Sequence, residues 1–451
     1  MDPRKSEPLN DAADPHSPPL RNWLTLVLLF AVALSNYLDR SIITILQVPM
    51  KAELGLSDTQ LGAMTGVAFA VCYTALGLPM SRLADRTSRK LVLTAAVTIW
   101  SIMTILCGFA GGFVFLFLAR VGVAVGESAG APVSHALVAQ HFPLRRRALA
   151  MALWSLAIPG GAMLGLGLGG WMNEVIGWRH AFILVGLTGA ILAPLVLLVR
   201  DRPVARAAVK APAISWRDSF IILWRIKTFR YVCLAGMLHG FGLYAIYSWS
   251  APFYTRVFGL SVGDAGMYLG LMSGIGGGIG ILGAGVIANI LGRRNSRWYM
   301  LVPSITATML TPIALVQFLT GNLALSLLAG FFSSALTNAQ TGPVVSTVQS
   351  LMPEPIRAFG SAVLVLLSGL AGLSLAPLLI GMMSDAMIAA GMPVDSLRYA
   401  IAMLVLFPAL AGLTYFIASR HVAHELAEVR AREEGRPGDH PQLNAVAPGA
   451  S

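Results

Sequence analysis

Twelve stretches of this 451-residue chain are each long and apolar enough to cross the hydrocarbon of a bilayer, and no other feature restricts the fold so severely. A spanning helix needs about 20 mainly apolar residues. Inside hydrocarbon each segment must also satisfy its own backbone, so helix is the expected form. The stretches are 22–46, 59–82, 91–111, 113–138, 147–171, 179–199, 229–253, 264–291, 299–320, 322–349, 358–384 and 397–419. The expected fold class is an all-α membrane protein with twelve transmembrane helices. A polar gap beginning "RDRPVARAAVKAPAISWRDS" separates the sixth stretch from the seventh. The chain then divides into an N-terminal tail (1–21), a first six-helix bundle (22–200), a link (201–228), a second bundle (229–419) and a C-terminal tail (420–451).

Charge placement gives the topology. Only 12% of the residues are charged, yet the net charge is +11. Bases cluster in the N-terminal tail, "SRLADRTSRK", "LRRR", Arg200 to Arg230, "GRRNSR", Arg357 and the C-terminal tail. The alternate loops hold only Lys51, Arg179, Arg256 and Arg398. By the positive-inside rule both termini are cytoplasmic, in a multi-pass plasma (inner) membrane protein. The positive charge is thus a topology signal, with anionic-lipid contact as a by-product, and not a nucleic-acid footprint. The first twenty residues lack a basic n-region, h-region and cleavage site, and read as a tail rather than a signal peptide. Cys72, Cys107 and Cys233 lie in apolar runs and suggest no disulfide framework.

The two halves echo each other. "DRTSRK" after the second stretch answers "GRRNSRW" after the eighth, "HFPLRRRALAMA" answers "LMPEPIRAFGSA", and "WRHAFIL" answers "LRYAIAML". Paired six-helix repeats around a central cavity are a transporter architecture, with the ligand near the midplane. "GIGGGIGILGAG" follows no strand, so it reads as close helix packing and not a dinucleotide loop. Pro159-Gly160-Gly161 and Pro377 read as bends that neighbouring helices tolerate. No Walker loop, paired-His metal motif or nucleophile elbow is present, so neither ATP hydrolysis, a cofactor nor an enzyme activity is expected. A receptor or scaffold would carry an extended extramembrane domain, and an intramembrane enzyme would need a nucleophile with its base.

Four charges fall deep within the stretches: Asp39 and Arg40 in the first, Arg120 and Glu127 in the fourth. Each costs at least about 2.5–3.5 kcal/mol at a helix centre, so such groups face a cavity or one another. From helix rise, Asp39 and Arg120 lie at similar depth, with Glu127 roughly 10 Å further along. Arg120 and Glu127, seven apart, share a helix face. An Asp39–Arg120 ion pair is expected, with Glu127 facing either Arg40 or solvent. Asp39 and Glu127 are the candidate proton-coupling acids, and Arg40 and Arg120 bias them or bind an anionic group. The second half offers only uncharged candidates, His239, Tyr244, Tyr247, Trp249, Asn338, Gln340 and Thr341. Of these, His239, Tyr247 and Asn338 join the candidate ligand contacts, although a hydrogen-bonded core histidine is the plainer reading of His239. An amphiphile with one polar end suits such a cavity.

"SRLADRTSRK" resembles the signature G-x-L-A-D-R-x-G-R-K of the major facilitator superfamily, with Ser81 and Ser88 in place of two glycines. "RVGVAVGE" resembles that superfamily's fourth-span motif, its arginine falling on Arg120. The resemblance implies that Asp85 and Arg86 belong to a cytoplasmic gating latch. More narrowly, "NYLDRS", "RVGVAVGESAGAP", "IPGGAMLG" and "GWRHAF" resemble the spinster branch. That likeness implies proton-coupled transport of lipid-like amphiphiles such as lysophospholipids or sphingosine phosphate. It maps Tyr37, Asp39, Arg40 and Glu127 onto cavity and coupling positions. The chain departs from the branch at Asn338, where an acid is missing from the tenth span. Organic-anion:cation symporters, which serve sugar acids, also carry a tyrosine–x–Asp-Arg motif in span one; the glutamate of "GES" favours spinster. The expectation is alternating access by one copy of the chain, its partners being protons, membrane lipids and an amphiphilic small molecule.

Overall fold

The computed structural model describes residues 20–201, 216–353 and 356–433, and every regular element among them is a helix. The first half of the chain forms α1 (Leu20–Leu54), α2 (Asp58–Thr65), α3 (Val67–Arg86), α4 (Arg89–Gly108), α5 (Phe113–Glu127), α6 (Gly130–His141), α7 (Leu144–Ser155) and α8 (Ala157–Val196). The second half opens with α9 (Trp216–Arg225), α10 (Lys227–Val257), α11 (Val262–Leu271), α12 (Gly277–Arg294) and α13 (Trp298–Leu319). It continues with α14 (Leu323–Asn338), α15 (Thr341–Leu351), α16 (Arg357–Gly369), α17 (Ala376–Ala389), α18 (Ser396–Leu404) and α19 (Phe407–Glu433). The expected link therefore carries a helix of its own, α9, and the tail expected from 420 begins inside α19. The rest of both tails and residues 202–215 lie outside the described residues.

Ten helical segments among the described residues are long and apolar enough to cross a membrane. One of them, Leu149–Val196, contains Gly177 at φ 79° and ψ 160°, a conformation open to glycine that divides the segment into two legs. Their outward faces, for example Leu24, Val27, Leu282 and Val286, are exposed, as lipid-facing surface must be. Widened π turns interrupt two helices, at Met272–Gly276 between α11 and α12 and at Leu370–Leu375 before Pro377. In the glycine run only glycine fits at 280, because a Cβ there would run into the Ala335 carbonyl, whereas Gly278 and Gly283 face open space.

The chain repeats itself at the end of α1 remote from Leu20, the far end. Gly55-Leu56-Ser57 and Gly259-Leu260-Ser261 each turn the chain into the next helix. Both glycines have positive φ, 65° and 68°, and both serines cap that helix by accepting from Gln60 N and Asp264 N. Glycines follow at the same spacing, Gly62 and Gly66 after the first serine, Gly266 and Gly270 after the second. Each pair lets a helix of the opposite half approach to backbone contact. A Cβ on Gly66 would lie 2.7 Å from the Ser374 carbonyl, and one on Gly270 would lie 2.9 Å from the Met163 carbonyl. Gly62 and Gly266 are held likewise against Pro377 and Leu166. A carboxylate closes each contact: Asp385 accepts from Asp58 N at 3.0 Å and Thr59 N at 2.8 Å, and Glu174 accepts from Gly263 N at 2.8 Å. Both place negative charge at a helix N-terminus in the other half. The repeat recurs at Arg179 and Arg398, which donate to the carbonyls ending α4 (Gly108, 3.0 Å) and α13 (Leu319, 2.8 Å).

This packing carries a test. Gly62→Val and Gly266→Val each overpack a backbone contact and lower stability by about 1–3 kcal/mol. Thermal melts of the purified variants show it, and Gly283→Val, which faces open space, serves as the unaffected control.

Candidate transport cavity

Adjacent residues on a helix point about 100° apart, so Asp39 and Arg40 leave α1 in different directions. Each turns to a different residue of α5. Asp39, 2% exposed, accepts from Thr104 Oγ1 at 2.9 Å and lies 3.6 Å from Arg120 Nη1. Arg40 Nε donates to Glu127 Oε2 at 2.6 Å. Of the two partners expected for Glu127, the structure selects Arg40. The Arg40–Glu127 contact is a charge-assisted hydrogen bond, whereas the longer Asp39–Arg120 pair exceeds hydrogen-bond length.

The Arg40 guanidinium is also boxed by aromatic rings, its carbon 4.3 Å from the Tyr73 centroid, 4.8 Å from Phe69 and 5.2 Å from Tyr37. Phe69 and Tyr73 stack one turn apart on α3, which presents both rings to the same cation. Glu127 is fully buried behind it, while Arg40 keeps 19% of its side chain exposed.

That exposure opens on a cavity of about 250 Å³. Tyr37, Arg40, Phe69 and Arg120 form one wall, and Leu243, Tyr244, Tyr247, Ser273 and Asn338 form the other. Neither carboxylate lines it; both stand behind the arginines. Toward the far end the halves are joined above the cavity. Ser41 Oγ donates to the Tyr37 carbonyl at 2.8 Å, so the Tyr247 phenol, 2.7 Å away, is the donor in the Ser41–Tyr247 bond. Gln47 Nε2 adds a bond to the Ser248 carbonyl at 2.7 Å. A side branch of about 70 Å³ shares Leu243, Tyr247, Ser273 and Asn338 and runs between Leu166, Ile246, Leu269 and Met272.

A family model for the Major Facilitator Superfamily matches residues 29–377. The chain belongs to that superfamily. It is similar to the MFS-type efflux pump of Mycolicibacterium smegmatis (strain ATCC 700084 / mc(2)155), at 32% identity over 428 residues, 93% of this chain and 97% of the relative. It is similar over a shorter stretch to the probable L-galactonate transporter of Escherichia coli (strain K12), at 30% identity, covering 53% of this chain and 57% of that one. A crystal structure of a bacterial homolog to the human lysosomal transporter Spinster, inward-facing and occupied, aligns with a TM-score of 0.79 at 25% identity. It covers 91% of this chain and 99% of that one. The inward-facing, unoccupied structure aligns at 0.81 and 24% identity, with the same coverage, and so attests the fold alone. The chain is thus a multi-pass major facilitator transporter of a small molecule, resembling spinster.

Within this transporter the expected residues fall unevenly. Tyr37, Arg40, Arg120, Tyr247 and Asn338 are on the cavity wall. His239 is not; it is 1% exposed, with Nε2 3.0 Å from the Thr337 carbonyl of α14. Arg86 ends α3 in an exposed position, and the Asp85 side chain lies outside the described residues. Sequence reasoning missed Phe69 and Tyr73, and it read Lys51 and Arg256 as topology charges. Both instead converge on Asp58, which is fully buried. Arg256 bonds its two oxygens at 2.8 Å each, Lys51 Nζ donates at 2.6 Å and Ser384 Oγ at 2.7 Å.

Proposed function

We propose that the chain is a proton-coupled secondary transporter that carries an amphiphile with an anionic head by alternating access. Residues 22–200 and 229–419 act as two six-helix bundles rocking about the cavity. Twelve passes result if Leu149–Val196 counts as two and 323–351 as one. The base-rich loops and both termini are cytoplasmic on this reading, and Asp85 and Arg86 guard that side. The far end is then the outer end, and its contacts describe an inward-facing state. The likeness to the inward-facing, occupied structure supports this.

The observation that carries the proposal is Arg40: a guanidinium on the cavity wall, boxed by three rings and tied to a buried glutamate. A proton on Glu127 removes its charge and releases Arg40, whose planar fork then takes a phosphate or carboxylate. Proton and anion therefore bind together, and each raises the affinity for the other. Asp39, behind the wall, and Arg120, on it, form a second carboxylate–guanidinium pair. The aliphatic and aromatic residues opposite, with the side branch, suit a hydrophobic portion. A second reading, symport of sugar acids, is favoured by the L-galactonate relative, although that match covers little more than half of the chain.

Proteoliposomes under an imposed pH gradient, supplied in parallel with a lysophospholipid and a sugar acid, separate the two readings. Affinity for the transported anion rises as pH falls, until the ligand's own head protonates. In Glu127→Gln the affinity persists but no longer responds to pH, and gradient-driven accumulation is lost; Asp39→Asn also loses accumulation. Wild-type coupling in both variants ends the proton assignment.

A further inference from the structure

A second pocket, of about 440 Å³, opens near the start of α1, separate from the transport cavity. Its wall carries Arg21 of α1, His141 at the end of α6, Arg147 of α7 and Arg200 just beyond α8. Among the described residues no carboxylate lines it, and none of the three arginines pairs with a described carboxylate. Two bonds fix the wall: Asn22 Nδ2 donates to the His141 carbonyl at 2.6 Å, and Arg147 Nη2 donates to the Ala139 carbonyl at 2.9 Å. The buried Nε of Arg147 has no partner among the described residues. Keeping such a concentration of positive charge together favours an anion.

Depth and surroundings say which kind. Trp23, next to the pocket, packs edge-on to Phe142 at 5.2 Å, and tryptophan near the end of a spanning helix marks the headgroup layer. Both helices that lead to exposed arginines also present exposed apolar residues running away from the pocket. On α1 these are Leu20, Leu24 and Val27, and toward Arg200 they are Ile191, Leu195 and Leu198. A free phosphate would use the arginines and leave those stripes idle; a phospholipid uses both.

We propose that this pocket binds the phosphate head of an anionic phospholipid, with its acyl chains along α1 and the end of α8. Basic pockets at the headgroup layer recognise such lipids, and each arginine there strengthens binding by about fivefold. The bound lipid joins the start of α1, the α6–α7 turn and the end of α8, bracing the rim of the first half.

The test melts the full-length protein in neutral detergent with added phosphatidylglycerol, with phosphatidylcholine of the same chains, or with inorganic phosphate. Phosphatidylglycerol raises the melting temperature, and the other two at equal concentration do not. The Arg21→Gln/Arg200→Gln variant, which alters only exposed side chains, needs about 25-fold more phosphatidylglycerol for the same shift. Arg21→Lys/Arg200→Lys, which keeps the charge, stays within about fivefold of wild type. Equal protection by both lipids, equal protection by phosphate alone, or an unchanged titration in the glutamine variant overturns the proposal.

Discussion

Arg40→Ala lowers affinity for an anionic ligand by about a hundredfold or more, the usual consequence of truncating one partner of a desolvated, hydrogen-bonded charge pair. Three contributions vanish together: the charge, the planar fork and the stacking of that fork among Tyr37, Phe69 and Tyr73. Arg40→Lys separates them. It restores the charge but not the fork, and so falls between alanine and wild type. The alanine variant also loses stability, because Glu127 stays in a fully buried site with no counter-charge. Adding Glu127→Gln restores the melting temperature without restoring binding. That split between stability and affinity separates a ligand-binding arginine from one that only holds α1 to α5. Calorimetric titration beside thermal melts of the four proteins reads both quantities, and anion affinity within threefold of wild type in Arg40→Ala would move the site elsewhere.

Why these four charges were legible and others were not follows from what each kind of residue costs. A charge within a spanning helix is expensive enough to announce itself, and helical geometry then limits its partners. Asp39 and Arg40 diverge on α1, Arg120 and Glu127 align on α5, and two cross-helix pairs are what that geometry allows. An aromatic pair such as Phe69 and Tyr73 costs nothing in an apolar helix, so no pattern distinguishes a cation box from ordinary packing. His239 shows the opposite failure. A polar side chain on an apolar helix invites a cavity role, yet one backbone carbonyl suffices to bury it. The far-end charges were hidden by position, since Lys51, Asp58 and Arg256 lie where topology charges also lie. The available signal was another repeat: G-L-S-x4-G-x3-G occurs at Gly55 and again at Gly259. Two helices that start alike and carry glycines at matched spacing make matched contacts.

Among the positions at which the two copies differ, the one after the capping serine has a consequence. Val262 stands in the second copy where Asp58 stands in the first. Both contacts have their capping carboxylate, but only the first adds a buried ionic cluster, drawing Arg256 and Ser384 from the second half onto Asp58 of the first. Asp58→Ala leaves two cations facing each other across a space that had held their shared counter-ion. Breaking a buried pair this way costs about 3–5 kcal/mol. The lower end applies here, because Arg256 and Lys51 keep 21% and 28% of their side chains exposed and water can reach them. The loss falls almost wholly on the state closed at the far end, since opening that end separates Asp58 from Arg256 in any case. A cost of about 3 kcal/mol shifts the ratio of closed to open by roughly a hundredfold. Spin labels at Ala52→Cys and Met392→Cys, one on each side of the closure, report the outcome. With Asp58 intact they give one short distance; with Asp58→Ala a longer population dominates. Asp58→Asn, which can still bond Ser384 but carries no charge, lies between. Identical distance distributions in all three proteins would show that glycine packing and the two capping carboxylates close the far end by themselves.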